Sequence, residues 1–358
     1  MEAIQELEGH TDRVWSVAWN PVASSSNRSV LASCGGDKTV RIWEGDCSDS
    51  SSSSSSSSWS CKAVIDSFKR TVRSCHWSPD GKLLATACFD GIGAVWEDVG
   101  GDYECVATLE GHENEMKSIA WSASGTLLAT CGRDKSVWIW EMEAENDFQT
   151  VSVLNGHSQD VKTVLFHPTE DILVSSSYDN SIKVWAPDPN GDDWSCVQTL
   201  AEPNQGHSST VWSVAFDADG KRMVSCSDDL LLVVWDTSTN PLESSWLSFI
   251  ILLPLIFKFC LFRKHLCTLS GYHERTIYSV HWSRRSGLIA SAAGDDAIRV
   301  FAEANDPSYT SRAVFSMVGK QQKAHSTDVN CVRWHPKDDD ILASAGDDGL
   351  VKLWRILS

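Results

Sequence analysis

The sequence predicts an all-β protein, a seven-bladed β-propeller, on three observations. An Asp, five intervening residues and then Trp or Phe recur seven times without an insertion: Asp37/Trp43, Asp90/Trp96, Asp134/Trp140, Asp179/Trp185, Asp229/Trp235, Asp295/Phe301 and Asp348/Trp354. Each pair follows apolar runs rich in β-branched and aromatic residues, the composition of half-buried strands. Self-similarity at this period marks stacked or radial units, none of which buries its apolar face alone. Four strands per unit and seven units make a propeller, which absorbs all of residues 1–358 in one domain.

One unit shows the elements in order. Val14–Trp19 alternates as a strand should, and Asn20-Pro21 stops it, because proline has no N–H for the ladder. Val30–Cys34 is the second strand, Gly35–Lys38 a tight turn and Thr39–Trp43 the third strand. A fourth strand precedes the next unit, as in Glu104–Leu109 before Glu110-Gly111-His112. The last unit ends after its third strand, at Trp354–Ser358. Ala3–Leu7 therefore completes the last blade, which latches the ring and removes a free sheet edge.

Gly-His dipeptides, turn Asp and closing Trp together resemble the WD-repeat (WD40) family over nearly the whole chain. The resemblance implies a hydrogen-bonded tetrad of His, strand hydroxyl, Asp and Trp. The sets are His10/Ser33/Asp37/Trp43, His112/Thr130/Asp134/Trp140, His157/Ser175/Asp179/Trp185, His207/Ser225/Asp229/Trp235 and His325/Ser344/Asp348/Trp354. The chemistry is coherent, since a buried Asp needs donors, and imidazole, hydroxyl and indole supply them. Two blades depart. Blade two has Phe68 where His is expected, and blade six keeps His273, Ser291 and Asp295 but has Phe301 for Trp. Each missing donor is expected to weaken its blade by about 1 kcal/mol.

Composition narrows the function. A net charge of −18 argues against nucleic acid and anionic membrane as partners. Met1–Glu6 is acidic, unlike a signal peptide. The 12 cysteines include no C-x2-C pair. Cys61, Cys105, Cys196 and Cys267 read as one recurring strand position, and Cys34, Cys131 and Cys226 follow the tetrad hydroxyl. Equivalent positions on different blades lie too far apart for a shared metal or disulfide. The cysteines therefore read as small buried hydrophobes in a reducing compartment, the cytosol or nucleus. No cofactor or metal site is expected. No catalytic motif occurs, and six of the 11 histidines fall at blade boundaries, so an enzyme is not expected.

Two segments break the pattern. Residues 48–60, with serine unbroken from Ser50 to Ser58, read as a disordered loop with a phosphorylation site as an open alternative. Residues 244–265 form an apolar insertion between blades five and six, and Leu247–Phe262 within it is long enough to raise the question of a membrane span. Topology opposes a span, because both flanks belong to neighbouring strands. An unspliced or wrongly joined segment is the favoured reading, with a membrane-dipping loop and a docking helix as alternatives.

Recognition is expected where blades differ. Two aligned positions lie on the rim of the Gly-His loops. One holds Trp15, Arg73, Lys117, Lys162, Trp212, Tyr278 and Asn330; the residue before each Asp is Gly36, Phe89, Arg133, Tyr178, Asp228, Gly294 and Asp347. Four cations fall on blades two to four, flanked by aromatics, and Arg, Trp and Tyr dominate interface energetics. Trp15, Arg73, Phe89, Lys117, Arg133, Lys162, Tyr178, Trp212 and Tyr278 are the candidate protein-binding residues. They suit an acidic segment with an aromatic anchor or a C-terminal carboxylate. Arg133 is singled out, as a long cation where small residues are common.

A narrower resemblance covers all seven blades. Arg73–Pro79 with Leu84–Asp90, Gly111–Ser118, Gly132–Glu141, Ser176–Lys183 and Gly271–His273 are similar to the WD-repeat subunits of the cytosolic iron–sulfur protein assembly (CIA) machinery. That resemblance implies a non-catalytic adaptor in a targeting complex with a small α/β assembly subunit and a large helical-repeat adaptor. The complex serves iron–sulfur apoprotein clients in cytosol and nucleus, and the adaptor is expected to be a monomer outside it. The resemblance also implies that Arg133 matches a functionally important top-face arginine. The alternative is another interaction scaffold, such as a ubiquitin-ligase substrate receptor. A lipid-binding propeller fits less well: Arg284-Arg285 is paired, but the Phe-Arg-Arg-Gly motif is absent.

Overall fold

The computed structural model of the 358-residue chain describes residues 1–22, 28–47, 59–143, 146–188, 193–202, 206–238, 264–304 and 313–357. They form seven four-stranded sheets, and no α-helix occurs among the described residues. Blade one is β2 (Val14–Trp19), β3 (Ser29–Gly35), β4 (Val40–Gly45) and β5 (Ser60–Ile65), antiparallel in that order. Blades two to six repeat it. Their innermost strands are β6 (Val72–Trp77), β10 (Met116–Trp121), β14 (Val161–Phe166), β18 (Val211–Phe216) and β22 (Ile277–Trp282). Blade seven consists of β26 (Val329–Trp334), β27 (Ile341–Gly346), β28 (Val351–Arg355) and, from the other end of the chain, β1 (Glu2–Leu7).

The latch forms as the sequence predicts. Ala3 faces Trp354 and Leu7 faces Val351, so β1 covers the edge of β28. The ring closes where Val14, Val17 and Leu31 pack on Cys331, Ala343 and Leu353, all buried. Innermost strands stand side by side around a central channel.

Two irregularities recur. A bulge interrupts each pairing of first and second strand, for example between Val14 and Ser16. Another interrupts the pairing of third and fourth strands beside the closing Trp, as between Ile42 and Trp43. The residue after each tetrad Asp has positive φ: Lys38, Gly91, Lys135, Asn180, Leu230, Asp296 and Gly349.

The serine run at 50–58 and the apolar stretch at 247–262 lie outside the described residues. The ends of both segments are narrower than expected. Trp59 is buried edge-to-face on Trp19, with ring centroids 5.7 Å apart, and Ser60 opens β5. On the other side of the ring, β21 (Lys264–Leu269) begins inside 244–265. Among the described residues, no helix is long and apolar enough to cross a membrane.

Candidate protein-binding face

The tetrads build the upper face, the one carrying the Gly-His loops and the turn Asp. In blade one, Trp43 Nε1 donates to Ser33 Oγ at 2.8 Å, Ser33 Oγ lies 2.8 Å from His10 Nε2, and His10 Nδ1 lies 2.9 Å from Asp37. Indole only donates, so the hydroxyl turns its hydrogen to His10 Nε2. The ring proton then sits on Nδ1, facing the carboxylate. One tautomer satisfies every group.

The four other sets repeat this relay. In blade three, Trp140 Nε1 donates to Thr130 Oγ1 at 3.0 Å, Thr130 Oγ1 lies 2.9 Å from His112 Nε2, and His112 Nδ1 lies 2.7 Å from Asp134. In blade four, Trp185, Ser175, His157 and Asp179 are linked at 2.8, 2.7 and 2.8 Å. In blade five, Trp235 donates to Ser225 Oγ at 2.9 Å, and Ser225, His207 and Asp229 follow at 2.7 and 2.8 Å. In blade seven, Trp354 donates to Ser344 Oγ at 2.8 Å, and Ser344, His325 and Asp348 follow at 2.7 and 2.8 Å. Thr130, Ser225 and Ser344 are wholly buried, and Trp140 nearly so. These four brace the blade from inside, beneath the face, and are not surface that a partner touches. Asp37 also accepts from the backbone N–H of Thr11 and Thr39 at 3.1 Å, which ties the Gly-His loop to the turn. Burial opposes its charge, but the His10 bond and the Thr11 amide outweigh this and hold the carboxyl at about 2.

The departing blades behave differently from each other. In blade two Phe68 packs on Trp96 at 5.3 Å, and Trp96 Nε1 still reaches Thr86 Oγ1 at 2.9 Å. In blade six Tyr272 packs edge-on to Phe301 at 4.9 Å. There, buried Arg299 also donates to Asp295 at 2.9 Å, a charged partner that the sequence reading did not foresee.

The inner bulge positions the rim. The extra residue in each is Trp15, Arg73, Lys117, Lys162, Trp212, Tyr278 and Asn330 in turn. Released from the ladder, these side chains are re-aimed toward the mouth of the channel. There they meet. The Arg73 guanidinium lies 4.7 Å from the Trp15 ring centre, and Lys117 Nζ lies 4.3 Å from that of Phe89. Lys162 Nζ lies 3.4 Å from the Tyr178 ring and 4.5 Å from the Trp212 ring. Trp212 in turn meets Tyr178 at 5.7 Å and Tyr278 at 5.2 Å, both edge-to-face. Eight of the nine candidate residues thus form one mouth.

Arg133 stands apart from that mouth. It lies on the turn after β11 (Leu127–Gly132), its side chain is 59% exposed, and it reaches Glu115 at 3.4 Å. Arg70 reaches the same Glu115 at 3.1 Å and donates to Phe89 O at 2.7 Å. One carboxylate between two guanidiniums leaves this edge cationic. Arg70, Arg13 and Glu115 escaped the sequence reading. They fall three and two residues before the mouth position, columns that also hold Arg275, Asp160 and Asp328.

Electrostatics divides the face. Over blades two to four the cations are crowded. Burial, then Lys117 and Arg73, bring the Lys162 ammonium down to about 7, and burial and Arg73 also lower Lys117. Over blades five to seven, acids appear instead. Trp212 Nε1 donates to Asp228 at 2.6 Å, Tyr278 Oη to Asp328 at 3.2 Å, and Asn330 Nδ2 to Asp347 at 2.7 Å.

The expectation of buried cysteines is corrected for the outer strands. Cys34, Cys131 and Cys226 are fully buried, but Cys61, Cys105 and Cys196 are exposed beside the outer bulge, opposite the tetrad Trp. Cys267 does not share their position: His265 faces Trp235, and Cys267 faces Val234. On the lower face Cys47, His335 and Asp338 come together. Both ring nitrogens of His335 are engaged there, one with Ser29 Oγ and one with the backbone N–H of Lys337 and Asp338. Burial also pushes the Cys47 thiol up to about 12, so the trio is a poor metal ligand set.

Seven four-stranded blades, each with a turn Asp and a closing aromatic, and the last completed by the N-terminal strand, define a WD-repeat β-propeller. The family model described as WD domain, G-beta repeat matches residues 1–44, 59–97, 103–141, 148–186, 194–236, 263–301 and 317–355. Full-length relatives narrow the class. "Protein CIA1" of Arabidopsis thaliana is 53% identical over 363 residues, 99% of this chain and 96% of its own length. "Probable cytosolic iron-sulfur protein assembly protein Ciao1" of Culex quinquefasciatus is 47% identical over 98% of this chain and 97% of its own. A Chlamydomonas reinhardtii homologue with the corresponding name is 46% identical over 99% and 98%. The chain belongs to this CIA1/CIAO1 family of WD-repeat proteins.

Proposed function

We propose that the chain is a non-catalytic adaptor of cytosolic iron–sulfur protein assembly, helping to direct clusters to cytosolic and nuclear apoproteins. Its partners are a small α/β assembly subunit, a large helical-repeat adaptor and the apoprotein clients. The family relatives' names support the pathway. The observation that carries the adaptor role is the polarised upper face, where Arg73, Lys117 and Lys162 lie over aromatic rings. Such a surface takes an acidic segment with an aromatic anchor, the carboxylates over blades two to four and the ring against Trp212 and Tyr278. Arg133, beside Arg70 and Glu115, extends it outward.

The test is affinity purification of the tagged chain beside an Arg133→Glu variant, with copurifying proteins identified by mass spectrometry. Cluster-assembly proteins should be recovered with the parent chain, and clients or partners selectively lost from the variant. Unchanged recovery would remove Arg133 from the binding face. Recovery of ubiquitin-ligase subunits in place of assembly proteins would replace the adaptor role with that of a substrate receptor.

A further inference from the structure

The channel holds a second cationic cluster, well below the mouth. Its volume is about 370 Å³. None of the described residues lining it is Asp or Glu, although the chain has 48 such residues. In so acidic a chain, that exclusion singles out the channel as the place where negative charge would have to come from outside.

The lower cluster arises from one column of the repeat. The residue before the closing aromatic of each innermost strand is Ala18, His76, Ala120, Leu165, Ala215, His281 and Arg333. Three are basic, on blades two, six and seven, and Arg284 in the turn after β22 joins them. The two imidazoles have a defined tautomer. His76 Nδ1 accepts from the backbone N–H of Trp121 at 3.3 Å, and His281 Nδ1 from that of Trp334 at 3.0 Å. The ring proton is therefore on Nε2, and neither Nε2 has a hydrogen-bond partner among the described residues. Arg333 spends Nη1 on Ser279 Oγ and on Val332 O, at 3.2 and 2.8 Å, and forms no ion pair among the described residues. Burial, then Arg333 and Arg284, push both imidazoles down, His76 to about 4, so both rings are neutral and each Nε2 carries one N–H to donate.

We propose that the lower channel binds a small oxyanion of the phosphate class, held by Arg333, Arg284 and the Nε2–H groups of His76 and His281. Arg333 is half-buried in the channel wall without a carboxylate partner among the described residues, and a bound anion would supply the missing counter-charge. The donors come from three separate blades lining one channel. A tetrahedral dianion offers acceptor oxygens in that many directions, whereas a planar carboxylate offers them in one plane. Seven strands enclose the site, so it admits a small ion and not a folded partner. The site is independent of partner capture at the upper face.

Isothermal titration of the full chain with inorganic phosphate, at constant ionic strength in chloride, tests this. Saturable one-site binding is expected, competed by sulfate but not by acetate. Arg333→Gln and His281→Gln should each weaken it about tenfold, the loss of one charge-assisted hydrogen bond, while surface Lys82→Gln leaves it within about twofold. Circular dichroism and melting identify a variant that fails to fold. If Arg333→Gln does, His281→Gln and Arg284→Gln decide. No saturable binding, binding unchanged in the folded channel variants, or acetate binding as tightly as phosphate would each overturn the proposal.

Discussion

Deleting one tetrad hydroxyl should cost twice as much in a blade with its Trp as in the blade without it. Ser175 Oγ accepts from Trp185 Nε1 at 2.8 Å and serves His157 Nε2 at 2.7 Å. Ser291 Oγ serves only His273 Nε2, at 2.7 Å, because Phe301 has no N–H. Both serines are fully buried, so water does not replace the lost partner. An unsatisfied buried polar group costs about 1–3 kcal/mol. Ser175→Ala strands two such groups, for about 2–6 kcal/mol, and Ser291→Ala one, for about 1–3 kcal/mol. Urea denaturation followed by circular dichroism and tryptophan fluorescence measures both losses against the parent chain. A double-mutant cycle with Trp185→Phe isolates the indole–hydroxyl coupling, expected at about 1–2 kcal/mol. Equal losses in the two blades, or no coupling, would refute the relay assigned here.

Further outcomes follow from the same contacts. Asp37, Asp295 and Asp348 are held at about 2, below the ordinary carboxyl value near 4. Depressed folded-state values mean stabilisation that is complete above about pH 4 and lost as pH falls through 2. An acid titration of the circular dichroism signal should show that loss, reduced in Asp348→Asn. Leu230 holds φ 67° after its tetrad Asp, a position where Gly91 and Gly349 serve other blades. Leu230→Gly should therefore stabilise the chain, by about 0.5–1 kcal/mol in the same urea assay. Burial, then crowding by Lys117 and Arg73 against Asp160 as counter-charge, brings the Lys162 ammonium down to about 7, so its charge is lost as pH rises through that value. Capture of an acidic aromatic peptide should weaken between pH 6 and 8, and Lys162→Met should flatten that dependence in fluorescence anisotropy.

Most of the fold was legible because each blade repeats the same solution. The Asp and aromatic spacing is rigid, since the turn and the third strand between them tolerate no insertion. The β1 latch was legible because a blade with three strands at one end of the chain demands a fourth from the other. The rim residues were legible as columns that vary among repeats, but their geometry was not. The extra residue shifts the alternation by one, so core residues fall at Val14, Val17 and Trp19 or Val161, Val164 and Phe166; reading these strands as plain alternation passed over the signal that Trp15, Arg73 and Lys162 leave the ladder. Cys267 was separable by counting, since it lies two residues before Leu269, whereas Cys61, Cys105 and Cys196 lie four before Ile65, Leu109 and Leu200. Arg299 holds the strand position that Lys183 holds in blade four, opposite the tetrad serine. Only packing shows it turned inward to Asp295.

The bulge also explains how one ring carries both sameness and difference. Tetrad, ladder and inter-blade core draw on the same few residue types in nearly every blade, with Phe68 and Phe301 as the departures, and a change there bears on stability. The extra residue of each inner bulge makes no paired contact in the ladder, so its identity is free to follow binding rather than folding. Trp, Arg, Lys, Lys, Trp, Tyr and Asn stand there in sequence around the mouth. Three consecutive cations on one side, and aromatic or amide groups bound to Asp228, Asp328 and Asp347 on the other, impose a direction on the face. An extended acidic ligand lying across the mouth therefore has one favourable orientation and one in which its carboxylates meet those three acids. Reversing the charge of one cation costs both affinity and that orientation, whereas neutralising an acid on blades five to seven would relax orientation while leaving the cationic side intact.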